Sequence, residues 1–190
     1  VIKGRKKTGL TIFWPDGGID TGPILLQKEI EVGPDDTTGS IYFNYLFPMG
    51  VDAILESVEL IKEGKAPKIP QPEEGATHEP PCSDHVAAID WKKAGQDIYN
   101  LLRGCDPQPG AYSYWQGEKI RFYGARLLGE PTTETPGTVV QAGSDGFQVA
   151  VEGGKLSVGK VRPESGGKAE ASAFVSERGL KVGDQFGEAT

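Results

Sequence analysis

The chain has 190 residues, enough for one large domain or two small ones, and 37% of them are hydrophobic, enough for an ordinary core. Its formal net charge of −7 excludes bulk electrostatic attraction to nucleic acid or an anionic membrane, and only a local basic patch would serve. Two cysteines, Cys82 and Cys105, make no disulfide framework and point to a reducing, cytoplasmic setting, and no apolar run approaches the roughly 20 residues of a membrane span.

The first residue is Val1, followed by a basic run and then a strand, as expected for a piece of a longer chain. Gly9–Trp14 (GLTIFW) is β-branched and aromatic and reads as a buried strand. Ile24–Val32 (ILLQKEIEV) reads as a second strand, with Ile24, Leu26, Ile30 and Val32 on one face, Lys28 the exception, and Gln27, Glu29 and Glu31 on the other. Asp35, Asp36, Thr37 and Thr38 are N-cap candidates for a helix over 39–63. Val51, Ile54, Leu55, Val58 and Ile61 fall at helical spacing on one face. Pro48 should break or kink that helix, and Gly64 should end it.

Residues 65–83 carry five prolines and read as a semi-rigid linker dividing a unit at 1–64 from one at 84–190. Beyond the linker the texture changes. A short helix is expected over Lys92–Arg103, then strands over Ala111–Trp115, Glu118–Leu127, Thr138–Gln141, Phe147–Val151 and Lys155–Val161, and a last helix near Ala169–Glu177. Many short strands with regular turns suggest a small barrel or sandwich.

The loop between the first two strands, FWPDGGIDTGP (Phe13–Pro23), holds three glycines and two acids where a two-residue hairpin turn would do. By itself it allows two readings. Asp20 is a turn residue bonding its own backbone, or it is a carboxylate shielded by Phe13 and Trp14 and placed to shuttle protons. His78, Cys82 and His85 have ligand-like spacing, but no second pair follows, so no metal site is expected. Lys119, Arg121 and Arg126 are the candidate cations for a polyanion. Residues 84–190 nevertheless carry 12 Lys and Arg against 14 Asp and Glu, which leaves an ordinary mixed surface as the alternative.

GLTIFWPDGGIDTGPILLQ resembles the formyltransferase family that uses 10-formyltetrahydrofolate, whose members carry a G-x-D-x-G run between the last two strands of a Rossmann-like domain. AAIDW (Ala87–Trp91), RGCDPQPGAY (Arg103–Tyr112), PGTVV (Pro136–Val140) and ASAFVSERGLKVGDQFG (Ala171–Gly187) resemble, in order, landmarks of the C-terminal domain of its methionyl-tRNA branch. The resemblance implies an α/β plus β chain: a Rossmann-like remnant of two strands and a helix, then an OB-like β-barrel. It implies that Asp20 is catalytic and that Pro15, Asp16, Gly17, Gly18 and Ile19 face the folate. It also implies 10-formyltetrahydrofolate as formyl donor, a monomer, and an amine acceptor, foremost initiator methionyl-tRNA, with Lys119, Arg121 and Arg126 facing it. FWPDGGIDTGP and QPEEGAT (Gln71–Thr77) also resemble the 10-formyltetrahydrofolate hydrolase branch, in which water replaces the amine. A non-catalytic OB-like binding module is the reading from another class. The family's asparagine and histidine belong upstream of this loop. These 190 residues therefore hold one of three catalytic groups and are expected to be inactive alone.

Overall fold

The computed structural model describes residues 1–188, and the chain divides into two compact units: Arg5–Pro81, and Val1–Gly4 together with the chain from Cys82 onward.

In the first unit β1 (Lys7–Phe13) and β2 (Ile24–Glu31) form an antiparallel pair, in register from Lys7 opposite Glu31 to Ile12 opposite Leu26. The register slips between Ile12 and Phe13, where the long loop begins. Gln27, Glu29 and Glu31 are exposed, as their alternation requires. Lys28, the exception in that pattern, turns toward the helix and meets Glu56 at 2.6 Å.

A capping box starts the helical run: the Thr37 hydroxyl accepts the Ser40 N–H, and Ser40 Oγ accepts the Thr37 N–H, both at 3.0 Å. The run proceeds through α1 (Thr38–Ile41), a π-helical turn (Tyr42–Leu46) and α2 (Phe47–Lys62). Pro48 does not break it, and an irregular π-helical turn ends just before it. The proline sits in the first turn of α2, and the wider π turn before it carries the Phe47 N–H to Tyr42 O. The large apolar residues that share one face of α2 are not its covered side. Ala53 and Ser57 face inward, while Val51, Ile54, Leu55, Val58 and Ile61 are exposed. Small residues let α2 lie close on a two-stranded ribbon, and that ribbon is too narrow to cover the larger ones.

After α2 the chain returns to the ribbon. Ile69 and Ile24 exchange backbone hydrogen bonds of 2.7 and 3.0 Å, and Trp14 Nε1 donates to Pro67 O at 2.8 Å.

The second unit contains α3 (Asp84–Ala87), α4 (Gly95–Gly104) and two four-stranded antiparallel sheets. Its strands are β3 (Ala111–Trp115), β4 (Glu118–Tyr123), β5 (Arg126–Leu128), β6 (Val139–Gly143), β7 (Gly146–Val151), β8 (Gly154–Val158), β9 (Lys160–Pro163) and β10 (Ala169–Glu170), and α5 (Ala171–Arg178) follows. One sheet has the order β10-β9-β4-β3 and the other β5-β8-β7-β6. Two strands expected to be continuous are divided, at Gly124 and at Gly159. The two glycines face each other so closely that a Cβ on Gly159 would stand 3.0 Å from Gly124 O. The paired strands bend there together and pass from one sheet into the other.

Strand pairing among the described residues does not close these sheets into a barrel. Instead residues 185–187 reach one edge of each sheet: Gly187 bridges to Tyr114 in β3, and Gln185 to Thr138 just before β6. Phe186, between them, is fully buried in contact with Trp91, Phe122 and Phe147. Trp91 and Trp115 are core residues, and Trp91 Nε1 donates to Ser113 Oγ at 2.9 Å.

Candidate functional site

The loop from Trp14 to Pro23 is closed at its neck by the Trp14 N–H donating to Pro23 O at 2.9 Å. Gly22 stands in that neck, and a Cβ there would lie 1.7 Å from Trp14 O, so no other residue fits. Gly18 is similarly constrained, by Thr21 Oγ1 at 2.1 Å from an added Cβ.

Two side chains hold the loop from opposite ends. Asp16 Oδ1 accepts the Gly18 N–H at 2.9 Å and the Thr21 hydroxyl at 2.7 Å. Those donors, Thr21 first and Gly18 second, hold the Asp16 carboxyl below the usual aspartate range. Gln71 Nε2 donates to the carbonyls of Asp20 and Gly22, at 2.9 and 2.7 Å. Asp20 lies between these fastenings with φ 56°, a left-handed conformation that Asp tolerates better than most residues. Asp20 is exposed, and its carboxylate has no bonding partner among the described residues. Pro15, Asp16, Gly17, Gly18 and Ile19 lie open along the loop, Ile19 exposed to 77%, and nothing lies within 4 Å of a Cβ built on Gly17. The loop therefore presents an open face of backbone, an apolar side chain and one uncommitted carboxylate. A flat polar ring can approach such a face closely.

Two of the three cations expected to face a polyanion are engaged by a carboxylate. Arg121 makes a two-pronged bond to Asp84, 2.8 Å to each oxygen, and Lys119 reaches Asp84 Oδ2 at 3.0 Å. Arg121 also donates to Gly110 O at 3.1 Å, and both cations lie over the Tyr112 ring. Arg121 and Lys119 hold the Asp84 carboxyl below its usual range, and Asp84 in turn raises Lys119. Both cations are mostly buried, at 14% and 17% exposed, while Arg126 is exposed on β5. Arg121 and Lys119 thus fasten α3 to β4.

Among the described residues no three His, Cys, Asp or Glu side chains converge to hold a metal, and His85 Nδ1 is engaged with Ser83 Oγ at 2.6 Å. No described helix is long and apolar enough to cross a membrane.

Sequence reasoning did not single out Thr21, Gln71 or Asp84. The local signal was for Asp16, whose side chain bonds the N–H two residues on in an Asx turn, and that pattern does not reach Thr21 five residues on. Gln71 and Asp84 act over 51 and 37 residues, and no local pattern announces such bonds.

The formyl transferase family model matches residues 1–49, and the model of the formyl transferase C-terminal domain matches residues 82–179. The chain belongs to the formyl transferase family. It is 42% identical over 180 residues to the mitochondrial 10-formyltetrahydrofolate dehydrogenase of Homo sapiens, covering 87% of this chain and 20% of that protein. It is 35% identical over 185 residues to the methionyl-tRNA formyltransferase of Acetivibrio thermocellus, covering 97% of this chain and 58% of that one. The chain thus spans about a fifth of the first relative's length and little more than half of the second's. Its fold is similar to the structure of HypX from Aquifex aeolicus in complex with tetrahydrofolic acid, with a TM-score of 0.78 at 20% identity, covering 97% of this chain and 32% of that one.

Proposed function

We propose that the chain is the C-terminal part of an enzyme that takes a formyl group from 10-formyltetrahydrofolate, with a remnant of the Rossmann-like catalytic domain joined to an OB-like domain. The observation that carries this reading is the free Asp20 carboxylate, held at φ 56° in a loop fastened on both sides by other residues. In this role the exposed backbone from Pro15 to Ile19 lies against the pterin ring. Asp20 takes the proton from the nucleophile as it attacks the formyl carbon and passes it on as tetrahydrofolate leaves. General acid–base action of this kind contributes roughly 10²–10⁴-fold in rate.

Two acceptors fit the chemistry. Water is favoured by the commitment of Lys119 and Arg121 to Asp84, which takes up two of the three candidate cations for phosphates. The 42% identity to a 10-formyltetrahydrofolate dehydrogenase supports the same acceptor. The amino group of methionyl-tRNA is the second reading. It is supported by the relative aligned over 97% of the chain and by Arg126, which remains exposed.

The test joins this chain to the upstream half of a relative's formyl transferase domain and follows 10-formyltetrahydrofolate consumption, with and without charged tRNA. Turnover that falls by about 10²-fold or more in Asp20→Asn supports the role of Asp20. Turnover indifferent to that substitution overturns it. Salt-sensitive transfer to tRNA would select the second acceptor, and tetrahydrofolate release in water alone the first.

A further inference from the structure

The two cysteines, far apart in sequence, meet in the second unit. Cys82 Sγ lies 3.7 Å from Cys105 Sγ, and both are free thiols. Cys82 is exposed and Cys105 is fully buried. Their meeting is built into the fold at both ends. Cys105 caps α4, its N–H donating to Leu101 O at 2.9 Å and its carbonyl accepting the Gly110 N–H at 2.8 Å. Cys82 precedes α3, which is fixed by the Asp84 pair with Arg121 and by the fully buried Ala87. A disulfide needs its sulfurs about 2.05 Å apart. Side-chain rotation at Cys82, in a segment without regular structure, is the motion that would bring them there.

We propose that Cys82 and Cys105 form a thiol–disulfide exchange site, with Cys82 the entry thiol, Cys105 the resolving thiol, and a low-molecular-weight disulfide the co-reactant. The exposed Cys82 thiolate attacks one sulfur of the small disulfide. That S–S bond breaks, and half of the reagent leaves as a thiol while the other half stays on Cys82. Cys105 Sγ then attacks Cys82 Sγ and expels the second half, which takes up the Cys105 proton. In balance, two protein thiols are oxidised to one disulfide and the small disulfide is reduced to two thiols. In the reduced protein burial first, and Cys82 second, push the Cys105 thiol up to about 12, and the burial that persists once Cys82 carries the adduct slows the second step. The protein stays reduced where small thiols dominate and closes under oxidation. Closure ties α3 to the end of α4 through a covalent bond.

The whole protein is incubated with oxidised glutathione to equilibrium, quenched with an alkylating reagent in denaturant, and weighed intact. The expected product is a monomer lighter by two hydrogens with neither cysteine alkylated, and a dithiol reductant restores both thiols. Cys105→Ser should stop at a stable glutathione adduct, and Cys82→Ser should leave Cys105 unmodified in the native state. A persistent adduct on the wild-type protein with Cys105 still alkylable, a covalent dimer, or prompt native-state reaction of Cys105 in Cys82→Ser would each overturn the proposal. The wild-type mass decides the question even if a variant fails to fold.

Discussion

The Asp16 carboxylate accepts the Thr21 hydroxyl at 2.7 Å, and this bond distinguishes the loop's two acids. Asp16 is a fastening, whereas Asp20 is left uncommitted. Thr21→Val removes the hydroxyl and should free the Gly18–Thr21 segment. Under the proposed function it should lower the Asp20-dependent rate by about 10-fold to 100-fold, since misplacing a catalytic group by about 1 Å has that effect. The fastening also depends on pH. A carboxyl whose folded pKa is lowered contributes its stabilisation above the ordinary aspartate range and loses it as pH falls through the folded value. The Gly18 amide resonance, followed on acidification, should therefore move only below about pH 4. Movement near neutrality would contradict this assignment.

Gly22→Ala tests the neck. The added Cβ would stand 1.7 Å from Trp14 O, a backbone atom that cannot rotate away. The Trp14–Pro23 hydrogen bond must break or the register must slip, and the expected loss is about 1–3 kcal/mol. Urea denaturation followed by fluorescence reads it through Trp14, which adjoins the loop. An unchanged midpoint would mean that the neck is open in solution.

Asp84→Asn leaves Arg121 and Lys119, both mostly buried, without their counter-ion. The Asp84 carboxylate is 45% exposed, so solvent screens much of the pair, and the expected loss is about 1 kcal/mol. The sign follows from both partners. The lowered Asp84 loses its contribution as pH falls below the ordinary carboxylate range. The raised Lys119 loses its own as pH rises past the ordinary lysine value. Between these limits the difference in unfolding free energy between wild type and Asp84→Asn should be flat, and a slope across neutrality would point to another partner.

Phe186→Ala tests how the two sheets are held together. The ring is fully buried, with its centroid 5.0 Å from that of Phe122 and 5.7 Å from that of Phe147. Truncation should cost about 3–5 kcal/mol in the cavity it leaves. Hydrogen exchange should also show the two bridges on either side of it, Gln185 to Thr138 and Gly187 to Tyr114, losing protection together. Loss at one edge alone would mean that the segment does not act as a unit.

Most of the elements were legible because alternation in β2 and turn glycines are local signals. The loop's special character was legible in its excess of glycine, whereas the bonds that separate Asp16 from Asp20 depend on how Thr21 and Gln71 are placed. What could not be read were effects set by distant partners. Arg121 looks like a surface cation until Asp84, 37 residues away, is seen against it. The divisions at Gly124 and Gly159 needed the two strands to be paired first. The covered side of α2 is not legible either, because helical spacing of large apolar residues says that they share a face, not that anything covers it.

That face supplies the last test. Ile54 is 56% exposed and Ala53 is fully buried, although they are adjacent in α2. If the spacing of large residues marked the packed side, Ile54→Lys would be costly and Ala53→Leu mild. The structure requires the reverse. Ile54→Lys changes an exposed position and should shift stability by no more than about 0.5 kcal/mol. Ala53→Leu forces a larger side chain into a space with no exposure, for about 1–3 kcal/mol. Paired thermal melts of the two variants decide the matter, since only their order has to be read. A large loss in Ile54→Lys would show that the exposed row of α2 is covered in solution, and the natural next measurement would then be the oligomeric state.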